Sequence, residues 1–463
     1  MWLKTPGFTW FSLFWIVCIA SAAGQSVPLR TPATDSVAED AAWQVEGWRN
    51  SEGFAARIPP VSTTPDESRV DTLTLAELEQ LALASNPTLA QAQRRIGALR
   101  GKQLQSGLYP NPVIGYSGEE MGDDGRAGLQ GGFIAQEVVT AGKLRLNRAV
   151  VGHEVARAVQ DMEIQRRRVL NDVRGAAYGV MVATRNVRLQ EQLAQISEAD
   201  TKAAEQLFQA REVSRVDVLQ ARIEANATRL KLDNARNDYR SAWRRLATVV
   251  GIPGMEPRPL ADRLEAEPAE LTWEKSLSQL LSHSPELARA HADVERARCA
   301  VSRAYAGRVP NVELEAGALY NHGPQDPVAS VRLAVPLQLY DRNQGNIHRA
   351  NAELAMAGRE VQRVELALQD RLAATFRRYA NARQQVRRYR NEILPDAREA
   401  LDMVQQGYSE AEFGYLELLT TQRTYFQSQL DYIASLEMLW QSRVQVEGLL
   451  LTGALDRPGE GAM

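Results

Sequence analysis

Cysteine is nearly missing from this sequence. Of two in 463 residues, Cys18 falls in an apolar leader and only Cys299 lies beyond it. Once the leader is removed, an intrachain disulfide is excluded and the fold must stand without covalent staples. Long apolar runs are missing too. After the run from Phe8 to Ala23, none reaches the roughly 18 residues of a transmembrane helix, so a membrane role of the mature chain has to come from strands. Net charge is close to zero, at -3, and nothing in it argues for nucleic acid as a partner. No catalytic constellation is legible. The five histidines (His153, His283, His291, His322, His348) are scattered without an i, i+4 metal pair, and there is no Gly-rich phosphate loop and no nucleophile with a partner in sequence. The chain reads as a non-enzyme without a cofactor.

Lys4, the apolar run and the small residues Ala20-Ser21-Ala22-Ala23-Gly24 form an export signal, residues 1–24, with cleavage after Ala22 to Gly24. An uncleaved anchor is the alternative. Residues 25–70, with Pro28, Pro32, Pro59, Pro60 and Pro65, read as an irregular leader. Organised structure begins at Leu73-Thr74. Thr74 caps a helix carrying Leu78, Leu81 and Leu83, Asn86-Pro87 breaks it, and a second helix runs from Pro87 to about Leu108.

Proline is absent from Val113 to Ile252. From about Leu144 the composition turns to Ala, Arg, Gln, Leu and Glu at helical spacing. Val155, Val159, Met162 and Val169 form one stripe; Leu219, Ile223, Ala227 and Leu230 form another. Helices of about 60 residues would span about 90 Å, which requires a coiled-coil partner, and a break is expected near Arg211 to Val216. After a Pro-rich linker, 252–270, the pattern repeats at an offset near 200 residues. Leu271-Thr272 echoes Leu73-Thr74, Ser284-Pro285 echoes Asn86-Pro87, Pro310-Asn311 echoes Pro110-Asn111, and Leu416 to Leu419 echoes Val216 to Leu219. The first repeat covers 71–251, with strands at about 112–118 and 129–137. The second covers 271–453, with strands at about 311–320 and 328–337, and 454–463 is a tail.

The strands are the surprise in so helical a chain. Val312, Leu314, Ala316, Ala318 and Tyr320 alternate with Asn311, Glu313, Glu315 and Gly317; Ala329, Val331, Leu333, Val335 and Leu337 alternate with Ser330, Arg332 and Ala334. Arms of about ten residues, apolar on one face and polar on the other, fit the wall of a membrane barrel, or one wall of a soluble sandwich. Four strands cannot close a membrane barrel, and open edges are not tolerated in lipid. If these are membrane strands, several copies must share one barrel; three copies give twelve strands. Asn311, Glu313, Glu315, Ser330 and Arg332 would face its lumen. Tyr116, Tyr320 and Tyr340, near strand ends, are candidates for an aromatic girdle, or for ordinary packing. The acidic Glu119, Glu120, Asp123 and Asp124 loop reads as solvated rather than metal-binding.

The two-fold repeat, Gly107-Leu108-Tyr109-Pro110-Asn111-Pro112 before the first strand, the Gln136 to Lys143 exit and Val335-Pro336-Leu337 together resemble the TolC-type outer-membrane efflux family, closest to its heavy-metal and multidrug branch. The resemblance covers about Leu73 to Gly453. It implies a mainly α fold with a small transmembrane β part: a homotrimeric channel-tunnel with a 12-stranded barrel in outer-membrane lipid and long coiled-coil helices in the periplasm. It further implies a periplasmic adaptor and an inner-membrane pump as partners, and a passive exit duct as the function. A type I protein-secretion duct, and a poreless periplasmic coiled-coil scaffold, are the alternatives. The family gates its tunnel with acidic side chains at the helix tips. By resemblance, Glu417 falls at a gate carboxylate, Tyr408 at a tyrosine that helps to latch it, and Asp217 at the pseudo-equivalent of Glu417. Phe413 stands where the family has a latch arginine and Thr420 where it has a second acid, while the tip turns carry Arg211 with Ser214 and Ala411 with Gly414. Glu417 also reads as a solvated helix-tip acid.

Overall fold

The computed structural model describes residues 72–459, apart from 123, 124, 126, 212, 262, 263, 265–268 and 411. The export signal, the leader, Asp123, Asp124, Ala411 and the last four residues of the tail lie outside the described residues.

The first repeat opens with α1 (Leu75–Ser85) and α2 (Pro87–Gln105). Thr74 and Glu77 cap α1 reciprocally, with Thr74 N donating to Glu77 Oε2 at 2.8 Å. Asn86 caps α2, and Pro87 takes the first-turn position where its missing N–H is harmless. Strands β1 (Val113–Glu119) and β2 (Leu129–Val138) follow, then α3 (Lys143–Gln209) and α4 (Arg215–Val250). The second repeat has the same order: α5 (Trp273–His283), α6 (Pro285–Ala306), β3 (Val312–Asn321), β4 (Asp326–Ala334), α7 (Gln344–Arg388), α8 (Leu394–Ser409) and α9 (Tyr415–Glu447). Between α7 and α8 the helix widens into one π turn, Tyr389–Ile393. Pro395 lies two residues beyond it and cannot donate to the preceding turn, so the bulge carries the helix past the missing bond.

The long helices are unequal, against the expectation of about 60 residues each. α3 has 67 residues but α4 has 36, and α9 has 33. The partner that so long a helix needs comes in pieces, since α2 and α6 pack along part of α3 and α4 along another part. On α4 the buried stripe is Val218, Ala221, Ala225 and Thr228, whereas Leu219, Ile223 and Leu230 are exposed. Small residues face α3 because they let the backbones approach, and the larger apolar side chains are left on the outer surface. Three ion pairs at heptad intervals fix the α3–α4 register: Arg222–Glu205 at 2.7 Å, Arg229–Glu198 at 2.8 Å and Arg236–Glu191 at 3.1 Å.

At the α3–α4–α1 end, Val169, Val173, Ala177 and Val180 pack on Leu78, Leu246 and Val250. Farther along, Tyr178 stacks on Trp440 at 4.5 Å, and Trp440 Nε1 donates to Leu264 O at 2.8 Å, tying the inter-repeat linker to α3 and α9. Leu73 pairs with the linker through Leu73 N to Pro259 O and Ala261 N to Leu73 O, both 2.9 Å.

The four strands form one antiparallel sheet in the order β1-β2-β3-β4, so the two repeats meet at β2–β3. Its fourth strand ends at Ala334, short of the expected 337, because Pro336 has no N–H for the ladder. Among the described residues, the outer edges of β1 and β4 pair with nothing.

Candidate functional site

The pairing register sorts every strand residue onto one of two faces. Ile114, Tyr116, Ile134, Leu314, Ala316, Ala318, Tyr320, Val331 and Leu333 share one face. It is open to its surroundings, with Ile114 81% and Val331 77% exposed. A contiguous bare apolar surface of this kind needs an apolar medium or a partner. The opposite face carries Glu313, Glu315, Ser330 and Arg332, with Glu315 opposite Arg332 at 3.7 Å. These four residues fall together on the polar side. The same face holds Phe133, whose ring covers Gly115: a Cβ on Gly115 would stand 2.3 Å from it. The aromatic ring fills the glycine gap on β1, and Ser330 Oγ fills the one over Gly317.

Asn311 departs from the expected lumen position. It lies one residue ahead of β3, and its side chain is occupied at the joint between sheet and helices. It accepts from Lys143 Nζ and from Thr140 N (3.3 Å) and donates to Glu137 Oε1 (2.5 Å). Of the tyrosines, Tyr116 and Tyr320 sit on the apolar face toward the strand-connecting loops, and Tyr320 Oη donates to Gln325 O at 3.1 Å. Tyr340 is elsewhere. It follows β4 in the connection to α7, at the sheet's helix end, and is fully solvent-facing.

At the other end of the helices are the two tip turns. In the first, Arg211 adopts φ +63° and Ser214 caps α4. Ser214 Oγ donates to Asp217 Oδ2 at 2.7 Å, Ser214 N donates to the same oxygen at 2.9 Å, and Asp217 N donates back to Ser214 Oγ at 3.3 Å. In the second, Gly414 has no side chain, so only the return half exists: Gly414 N donates to Glu417 Oε2 at 3.2 Å. Asp217, partly buried, and Glu417, exposed, are thus equivalent third residues of equivalent helices, each aiming a carboxylate at its own helix start.

Tyr408 lies within electrostatic reach of the first repeat. Burial pushes its hydroxyl pKa up, and the carboxylates of Asp200 and Asp217 push it further. Asp200 is half-buried on α3, its carboxyl raised by burial and partly offset by a hydrogen bond from Gln422 of α9. Beside it, Arg423 of α9 pairs with Glu224 of α4. Asp200, Gln422, Arg423 and Glu224 went unnoticed in the sequence. Asp200 falls between the buried Ser197 and Ala204 at helical spacing, and this inward stripe was a signal that could have found it.

Among the described residues no helix is long and apolar enough to cross a membrane, and no cluster of His, Cys, Asp and Glu could hold a metal ion. Two stretches of the chain, 78–252 and 276–450, match the model of one family, described as outer membrane efflux protein. The chain belongs to that family. The cobalt-zinc-cadmium resistance protein CzcC of Cupriavidus metallidurans is 26% identical over 378 residues, 82% of this chain and 90% of CzcC. In structure the chain is similar to the outer-membrane channel OprN, with a TM-score of 0.69 at 19% identity over 82% of this chain and 90% of that one. It is similar to CusC at 0.68 and 14% over 85% and 96%, and to VceC of Vibrio cholerae at 0.67 and 16% over 82% and 96%. The fold is therefore that of the TolC-type channels, mainly α with a small antiparallel sheet. As a family member the chain is an outer-membrane efflux channel component, with its sheet in that membrane and its helices extending into the periplasm.

Proposed function

We propose that the chain is the passive exit duct of a tripartite efflux system, in which three copies share a 12-stranded barrel and an inner-membrane pump and a periplasmic adaptor supply the cargo. The observation that carries this reading is the sheet. It has a bare apolar face, a charged opposite face and two unpaired edges, and in lipid such edges must find partners in further copies. Glu313, Glu315, Ser330 and Arg332 then line water, and Tyr116 and Tyr320 lie at the outer interface. The kinship with CzcC favours divalent transition-metal cations as cargo, and with no metal cluster among the described residues selectivity belongs to the pump.

The helix tips are the gate in this reading. Asp217 and Glu417 of each copy place carboxylates there, a cation-attracting ring when repeated about a three-fold axis. The link between Asp200 and Gln422, with Tyr408 in electrostatic reach of Asp200, takes the place of the arginine latch. Planar-bilayer recording of the purified protein tests it. Glu417→Gln keeps an acceptor for Gly414 N and removes the charge, and is expected to weaken block by divalent cations; Glu417→Ala is expected to raise conductance as well by loosening the cap. Conductance and block like the wild type in both variants would remove Glu417 from the gate.

A further inference from the structure

Where the sheet meets the helices, a polar cleft of about 670 Å³ opens between the starts of α3 and α7 and the ends of α2 and α6. Four cations line it, Lys102, Lys143, Arg303 and Arg349, against two carboxylates, Glu154 and Glu353. Those carboxylates are taken by the outer cations, Lys102 with Glu154 at 2.6 Å and Arg349 with Glu353 at 3.8 Å. The inner two have no carboxylate partner among the described residues. Lys143 is only 6% exposed and donates to Asn311 Oδ1, while Arg303 Nε donates to Asn147 Oδ1 at 2.5 Å. Glu137, whose charge reaches Lys143, accepts from Asn311 instead.

A buried ammonium held beside a guanidinium, with only amide oxygens for partners, is an arrangement that an anion would stabilise. The backbone adds to it. α3 and α7 both begin at this cleft without a side-chain cap and without an acid in the first turn, whereas Glu77, Asp217, Glu274, Glu286 and Glu417 occupy the first turns of α1, α4, α5, α6 and α9. Two positive helix ends therefore face a site already rich in cations.

We propose that this cleft binds a phosphate group, with Lys143 and Arg303 as its inner ligands and Lys102 and Arg349 at its mouth. The volume exceeds that of a bare phosphate, so the group can be inorganic phosphate or the headgroup of a phospholipid reaching the sheet's helix end. The site is independent of the tip gate.

The purified channel in detergent tests this, with inorganic phosphate followed by calorimetry at constant ionic strength and phosphatidylglycerol followed as adducts by native mass spectrometry. Saturable binding of phosphate identifies a free-anion site, and saturable binding of the lipid alone identifies a headgroup site. Lys143→Gln with Arg303→Gln is expected to lower the affinity at least tenfold, on the order expected for charge-assisted bonds. Lys102→Gln with Arg349→Gln changes only exposed side chains, so folding is retained, and is expected to lower it several-fold. Glu154→Gln removes a competing carboxylate and is expected to tighten binding, which a purely structural role would not produce. Saturable binding of neither ligand, or equal affinity across these variants, would overturn the proposal.

Discussion

The ring of Phe413 lies over Gly407, so close that a Cβ on the glycine would stand 2.3 Å from the ring. The contact closes the second tip turn, with Glu412 N donating to Gly407 O at 2.7 Å and Phe413 N to the same oxygen at 3.3 Å. In the proposed gate, where resemblance puts a latch arginine at this position, Phe413 instead closes its own turn on Gly407.

Gly407→Ala is therefore expected to overpack the tip, at about 1–3 kcal/mol. Proteolysis with a Glu-specific protease at Glu410 and Glu412 should accelerate, and Phe413→Ala added to Gly407→Ala should restore much of the resistance, because the two changes share one contact. Additive effects would show that the ring does not hold the turn.

Asp200 makes the α3 tip sensitive to acid. Burial raises its carboxyl above the ordinary aspartate value, so its pKa is higher in the folded chain than in the unfolded one. Between the two values the folded state holds the extra proton; stability is thus greatest at low pH and falls as pH rises through the folded value. Hydrogen exchange of residues 197–217, corrected for intrinsic rates, should slow on going from about pH 7 to about pH 4. Asp200→Asn should flatten that change; an unaltered profile would assign it to another group.

The chain's C-terminal segment is clasped by α3. Asn171 Nδ2 donates to Gly448 O at 2.8 Å and to Leu451 O at 2.7 Å, and Asp172 accepts from Gly453 N and Ala454 N at 3.0 and 2.7 Å. Gly448 lies so near that an added Cβ would stand 2.1 Å from the Asn171 amide. Gly448→Ala and Asn171→Ala should each lower stability, the second by about 1–3 kcal/mol for the carbonyls left without a donor. The double variant should lose less than the sum in denaturant titration. Strict additivity would mean that the two sites are not coupled.

Much of this was legible in the sequence because it rests on local rules. Period-two alternation fixed the two faces of β3 and β4, Thr74 and Asn86-Pro87 punctuated the first helices, and the 200-residue echo paired the tip turns. What stayed hidden depends on distant partners. Leu219, Ile223 and Leu230 form a regular apolar stripe, yet Ala221 and Ala225 beside it face α3, since closeness of approach rather than hydrophobicity selected the contact. Asn311 continues the alternation, but Lys143 and Thr140, far away in sequence, draw its side chain into the joint. Tyr408 sits on α8 and senses Asp200 and Asp217 of the first repeat, a relation that no spacing within one helix displays.

The central claim, a duct whose barrel is shared between copies, is tested most directly by the mass of the purified protein in detergent, measured by native mass spectrometry. Two unpaired edges predict more than one chain per particle, and the proposed 12-stranded barrel three, resistant to dilution and dispersed only when the sheet unfolds. A particle containing a single chain that still conducts in a bilayer would contradict the account.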